Sequence, residues 1–224
     1  MLMVSPNTVF TVDETHGRVL RAGNRLIANS QDAGWRSLHA AIIEEGPFAA
    51  TEPAIGHPML IYHLTRPTEV SRKIEGSPGN RQLIGPRRIC LTPGEATTRW
   101  EHHGHPEILQ VYLRRSIYQA AVSEIYNCDT EHAELVPRFA ILDPMLEQLA
   151  IAITTALRDG TAEDGLYIDT LAQMMAVHRD EPVQEHVISA SAGNGKAVKI
   201  PLRKQARRSS DHDYRNEQNR PGSG

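Results

Sequence analysis

The stretch LTPGEATTRWEHHGHPEILQVYL, residues 91–113, decides the fold. It opens on the turn Pro93-Gly94, reaches Trp100 six residues after Gly94, passes His102, His103 and His105, and ends in Ile108 to Leu113, a run rich in β-formers. Turn residues on both sides of short β-leaning segments describe strands that double back, because Pro and Gly supply backbone angles that extended chain does not use. Gly104 and Pro106 add a second turn among the histidines, which places all three in a polar loop between strands.

The same grammar runs through the residues before it. Met59 to Leu64 and Arg88 to Leu91 are apolar and β-leaning, and Glu69 to Ile74 sets Val70 and Ile74 on one face. Thr65-Arg66-Pro67, Gly76 to Asn80 and Gly85-Pro86 separate them. Short strands at this spacing predict an antiparallel sandwich or small barrel over residues 1–113.

After Leu113 the apolar period lengthens from strand to helix. Ser116 with Gln119 three residues on predicts a capping box and a helix over 116–126. Asp143-Pro144, a capping carboxylate before a proline at the first helical position, predicts a helix to Gly160 whose stripe is Leu146, Leu149, Ala150, Ile153 and Leu157. A third helix, Glu163 to His178, sets Tyr167, Leu171, Met174 and Met175 on one face. Residues 114–178 thus form a helical region. Such stripes face the chain's own core or a partner, and amphipathicity alone does not choose.

Residues 179–224 are polar and rich in Gly and Ser, the composition of a disordered tail. They hold nine Lys or Arg against six Asp or Glu, leaving 15 against 21 in residues 1–178. The main body is therefore acidic and poorly suited to general nucleic-acid binding. The basic cluster 196–208, KAVKIPLRKQARR, has six positive and no negative charges. It lacks the aromatics that stack on bases, so it reads as a solvated tail. No run approaches the roughly 18 apolar residues of a membrane helix, and the start lacks a secretory signal, so the expectation is a cytoplasmic protein without a membrane partner. Cys90 and Cys128 are too far apart in sequence to suggest a disulfide framework or a cysteine zinc site.

The order GWRSLHAAI (34–42), HPMLIYHLTRP (57–67), IGPRRICLTPGEATTRW (84–100), ELVPRFAILDPMLEQLAIAI (134–153) and GLYIDTLAQMMAVH (165–178) resembles the N-terminal half of AraC-type transcription regulators. The most telling parts are the Pro-Gly turn followed by Trp100, and the Asp143-Pro144 helix start followed by Leu166-Tyr167-x-Asp169-x-Leu171-Ala172. The resemblance implies an α+β protein: a cupin-like antiparallel β-barrel that takes a small-molecule effector, followed by two or three amphipathic helices used for dimerisation. It also implies a C-terminal DNA reader of two helix-turn-helix units. After His178 only SASAGNG-like flexible sequence follows, so the expectation is a truncated regulator. It would act as a homodimer or in a mixed dimer with an intact relative, and touch DNA only through a partner or a lost domain.

No catalytic set assembles from the sequence. There is no Gly-x-Ser-x-Gly elbow, phosphate-binding Gly-rich loop or His-Glu-x-x-His helix, and Glu44-Glu45 and Glu52 are close only in sequence. The expectation is a non-enzyme without cofactor or metal. The rival is a small metal-dependent cupin enzyme using His103, His105 and Glu107, which would share a face if the stretch were one extended strand. Against it, the cupin metal motif places a glycine six residues before its first histidine, and Thr97 stands there. Candidate effector contacts are Trp100, His63 and Tyr62, of which one of the adjacent pair must face inward. Candidate dimer contacts are Leu146, Leu149, Ile153, Leu157, Leu171, Met174 and Met175.

Overall fold

The computed structural model describes residues 8–126, 133–159 and 165–178, with the backbone pairs 187–188 and 198–199. Two 3-10 turns, Asp13–Thr15 and Arg18–Leu20, precede the strands β1 (Arg25–Asn29), β2 (Leu38–Glu44), β3 (Phe48–Glu52), β4 (Met59–His63) and β5 (Thr68–Ile74). Then come β6 (Asn80–Ile84), β7 (Ile89–Thr92), β8 (Thr98–His102), β9 (Glu107–Leu113), α1 (Arg115–Tyr126), β10 (Ala133–Glu134), β11 (Arg138–Ile141), α2 (Pro144–Asp159) and α3 (Gly165–Val177). The short strand β12 (Val187–Ile188) pairs with β10, and β13 (Val198–Lys199) pairs with β12. The rest of the tail, including most of the basic cluster, and Cys128 lie outside the described residues.

Two antiparallel sheets form a cupin-like barrel: a six-stranded one in the order β1-β2-β9-β4-β7-β11, and a four-stranded one in the order β3-β8-β5-β6. Neither closes on itself, and the fold class is α+β. The six-stranded sheet is buried on both faces. Leu38, Ala40, Ile42, Leu60, Leu109 and Val111 pack toward the helices, while Ala41, Ile43, Met59, Ile61, Ile108 and Tyr112 face the barrel interior. That double burial is why β2, β4 and β9 read as nearly continuous apolar runs. The four-stranded sheet has one wet face, so β5 and β8 alternate: Thr68, Val70, Arg72 and Ile74 are buried, as are Thr98, Trp100 and His102.

The barrel takes one strand from beyond residue 113. β11 pairs with β7 at the sheet edge, so the expected boundary between barrel and helical region is crossed by Arg138–Ile141. The Pro93-Gly94 turn is required sterically. A Cβ on Gly94 would lie 2.4 Å from the backbone of Gly56 and His57, and the Gly94 carbonyl accepts hydrogen bonds from Ile55 N and Gly56 N at 3.0 and 2.8 Å.

Asp143 caps α2 as its sequence predicts, its Oδ1 accepting from Leu146 N at 2.9 Å. The capping box of α1 is different from expectation. The helix starts at Arg115, ahead of Ser116, and the Arg115 N–H donates to Nδ1 of His57 at 3.1 Å. A tertiary contact replaces the local cap, leaving the His57 proton on Nε2, which donates to Glu14 Oε1 at 3.1 Å.

The stripe expected to serve dimerisation is the chain's own core. Leu146, Leu149, Ile153, Leu157 and Leu171 are buried against the outer face of the six-stranded sheet, and Met174 and Met175 pack half-buried against the same cluster. The five buried side chains are thus taken up by the chain's own core, whereas Met174 and Met175 stay partly open.

Candidate functional site

Arg18 is the largest fully buried side chain, 1% exposed, and it enters the barrel interior from a 3-10 turn. The preceding His16 and Gly17 both hold left-handed φ (55° and 56°), a reversal that turns the following side chain inward. The guanidinium is forked on one carboxylate, Nε to Glu52 Oε1 at 2.7 Å and Nη2 to Glu52 Oε2 at 2.6 Å, and Nη1 donates to Glu45 Oε1 at 3.2 Å. Arg21 Nη2 donates to Glu52 Oε1 at 2.9 Å. Two carboxylates thus balance two guanidiniums.

The aromatic walls complete the arrangement. The Arg18 guanidinium carbon lies 5.4 Å from the Trp100 ring centroid and 5.6 Å from that of Phe48, within cation–π range. The second buried arginine, Arg72, sits 5.6 Å from Trp100 and donates through Nη1 to the carbonyls of Leu91 and Arg138 at 2.7 and 2.8 Å. Cross-strand register builds this wall, pairing Trp100 with Ala50 and Arg72, and His102 with Phe48 and Val70.

Charges here follow from burial and pairing. Burial favours a neutral Arg18, but Glu52 and Glu45 outweigh it and hold the guanidinium firmly protonated. Burial would raise Glu52, yet Arg18 overrides it and holds the carboxyl at about 2. Glu45 is lowered against the same burial by His102 and Arg18. Burial depresses His63 to about 4, so its imidazole is neutral near pH 7.

A cavity with room for about one water molecule lies among Arg18, Glu45, His63, Thr68, Trp100 and His102. His63 Nδ1, Thr68 Oγ1 and Trp100 Nε1 are buried with no hydrogen-bond partner among the described residues. The His102 ring nitrogens make no aligned hydrogen bond either, although Nε2 stands 3.2 Å from Glu45 Oε2. Each unmet buried polar group costs about 1–3 kcal/mol. Four residues carrying this cost around one cavity mark a place where a small polar guest is stabilised.

The sequence candidates divide cleanly. Trp100 and His63 face this cavity. Tyr62, the neighbour of His63 on β4, points the other way and its hydroxyl donates to Glu147 Oε1 of α2 at 3.2 Å. Glu147 is also forked by Arg87, Nε at 2.6 Å and Nη2 at 3.1 Å. The metal alternative does not assemble: His103 and His105 are exposed, His103 Nε2 is 3.1 Å from Glu101, and Glu107 pairs with Arg158. Among the described residues no three His, Cys, Asp or Glu groups are placed to hold a metal ion.

Sequence reasoning missed Arg18, Glu45, Glu52 and His102. Far from being close only in sequence, Glu45 and Glu52 meet on one guanidinium. His102 is the last residue of β8, not part of the loop, and its two-residue spacing from Trp100 was the available signal. A second recess, between the outer sheet face and α3, is walled by Leu60, Leu91, Val111, Leu113, Leu146 and Met175. It is mostly apolar; of the two polar side chains on its wall, Tyr118 and His178, the second is held by Asp143 Oδ2 at 2.8 Å.

No protein-family model and no curated protein matches the chain in sequence. Among solved structures, the AraC-like transcriptional activator CuxR is similar at 11% identity and a TM-score of 0.42, over 68% of this chain and 57% of that one. A cupin superfamily protein from Desulfitobacterium hafniense is similar at 14% identity and a TM-score of 0.32, over 42% of this chain and 79% of that one. KdgF from a Halomonas species is similar at 14% identity and 0.33, over 43% and 86%. At these values the likenesses carry nothing about activity. Among the described residues no helix is long and apolar enough to cross a membrane.

Proposed function

We propose that the chain is the small-molecule-sensing and dimerisation part of an AraC-type transcription regulator, with any DNA contact made through a partner or a further domain. The observation that carries this is β4. One residue of it, His63, lines the polar cavity, and the next residue back, Tyr62, is bonded to α2 through Glu147. A guest that favours one position of β4 therefore favours one position of the helix layer, which is the physical content of a population shift. The interior charges of Arg18, Glu45 and Glu52 are held by one another rather than presented to solvent, while His63, Thr68 and Trp100 keep unmet polar atoms, which favours a binding role over a catalytic one. The dimer face then lies on the helical side chains the chain leaves uncovered: Ile151 on α2 and Leu166, Tyr167 and Val177 on α3.

A thermal-shift screen of the purified chain against small polar molecules tests the sensing half. A stabilising compound is expected, and its effect should vanish in His63→Ala and in Trp100→Phe. Stabilisation that survives in both variants would place the binding site elsewhere.

A further inference from the structure

The geometry points to Arg18 as a built-in occupant of the barrel's binding site, which is a cation cage that an external guanidinium- or amine-bearing small molecule enters by taking Arg18's place. This rests on the barrel interior being the effector site. It adds the class of ligand and the group that competes with it.

The cage is complete without the rest of the residue that fills it. Glu52 offers two oxygens to one side of the guanidinium, Glu45 a third, and the rings of Trp100 and Phe48 flank it. Fork geometry on a carboxylate with aromatic walls suits a planar, delocalised cation. With Arg18 withdrawn, the permanent cation left to Glu45 and Glu52 is Arg21, on Glu52, with the imidazoles of His102 and His16 3.2 and 3.8 Å from Glu45 and Glu52, and a buried charge left without its partner is strongly destabilising. A cation restores the balance. An anion worsens it and a neutral molecule leaves it unchanged.

Arg18 is also placed to leave. It sits in the 3-10 turn Arg18–Leu20, outside both sheets, so its withdrawal breaks no ladder hydrogen bond. Leu20 beside it is exposed, and against release stands the hydrogen bond from Asn24 Nδ2 to the Arg18 carbonyl at 2.8 Å. Occupancy by the segment's own arginine lowers the apparent affinity for an outside cation by the fraction of time the cage is free.

Calorimetric titration of the full chain with methylguanidinium, with acetate and glycerol as anionic and neutral comparators, tests this. Arg18→Ala should bind methylguanidinium at least about tenfold more tightly than the unaltered chain, and adding Glu52→Gln should abolish that binding. Arg18→Lys, which keeps the charge and guards against a folding failure, should give an intermediate affinity. In the unaltered chain, saturating methylguanidinium should expose the Arg18 peptide bond to trypsin, which its burial otherwise protects. Folded Arg18→Ala or Arg18→Lys protein that takes up no methylguanidinium overturns the inference, as does binding to the unaltered chain with Arg18 still protected. If the unaltered chain binds glycerol or another neutral compound in a His63-dependent way and ignores methylguanidinium, the cation cage fails and the sensor stands. If nothing binds to any variant, both fail.

Discussion

His39 and His63 enter the folded state uncharged, both depressed to about 4 by burial, against an ordinary value of 6.5. Because the unfolded chain takes up protons on these residues before the folded chain does, stability should be complete above about pH 6.5 and decline as the pH falls toward 4, by up to about 1.4 kcal/mol per pH unit for each. Glu52, held at about 2, extends the decline below pH 4.5. Denaturation midpoints measured from pH 7.5 to 4.5 should fall steadily, whereas a flat profile would mean that these imidazoles are solvated. At this scale the sequence shows residue type but not direction. Trp100 is legible as an inward aromatic in a strand because turns bracket it. His102 is not, since the following Gly104 and Pro106 draw it into the loop. Arg18 gives no local sign of burial at all, because its partners Glu45 and Glu52 come from strands whose register only the folded sheet defines.

At the scale of elements, legibility follows the strength of the local signal. α2 is read to within a residue because Asp143-Pro144 marks its start and five apolar positions mark its stripe. Replacing Asp143 with Ala should cost about 1 kcal/mol from the lost cap, read as a lower urea midpoint, with further loss where His178 is released. β6 is exposed along Asn80 to Leu83 and so carries no alternation to read. β2 is buried on both faces, which hides its period. The stripe Leu146 to Leu157 shows what periodicity cannot decide: it identifies a buried face without saying what buries it. Ile153→Ala should destabilise the chain by about 2–5 kcal/mol, with self-association unchanged once both proteins are compared under fully native conditions. A dimer weakened in proportion to that substitution would show α2 facing a partner after all.

In the whole molecule, two clusters of apolar side chains share one sheet, the barrel core inside and the helix core outside. β4 belongs to both, and Tyr62→Phe should uncouple them. Removing the hydroxyl that reaches Glu147 should cost about 1 kcal/mol and should leave ligand uptake in the barrel intact while weakening its effect on the helices, which hydrogen exchange of α2 would report. Self-association must then use what the chain leaves open, with Leu166 80% exposed and Tyr167 and Val177 beside it on α3. Sedimentation velocity of the full chain, from low to high micromolar, tests the sensing-and-dimerisation account most directly. The account predicts a dimer that Leu166→Glu together with Tyr167→Glu dissociates without loss of fold; a strict monomer throughout the range would contradict it.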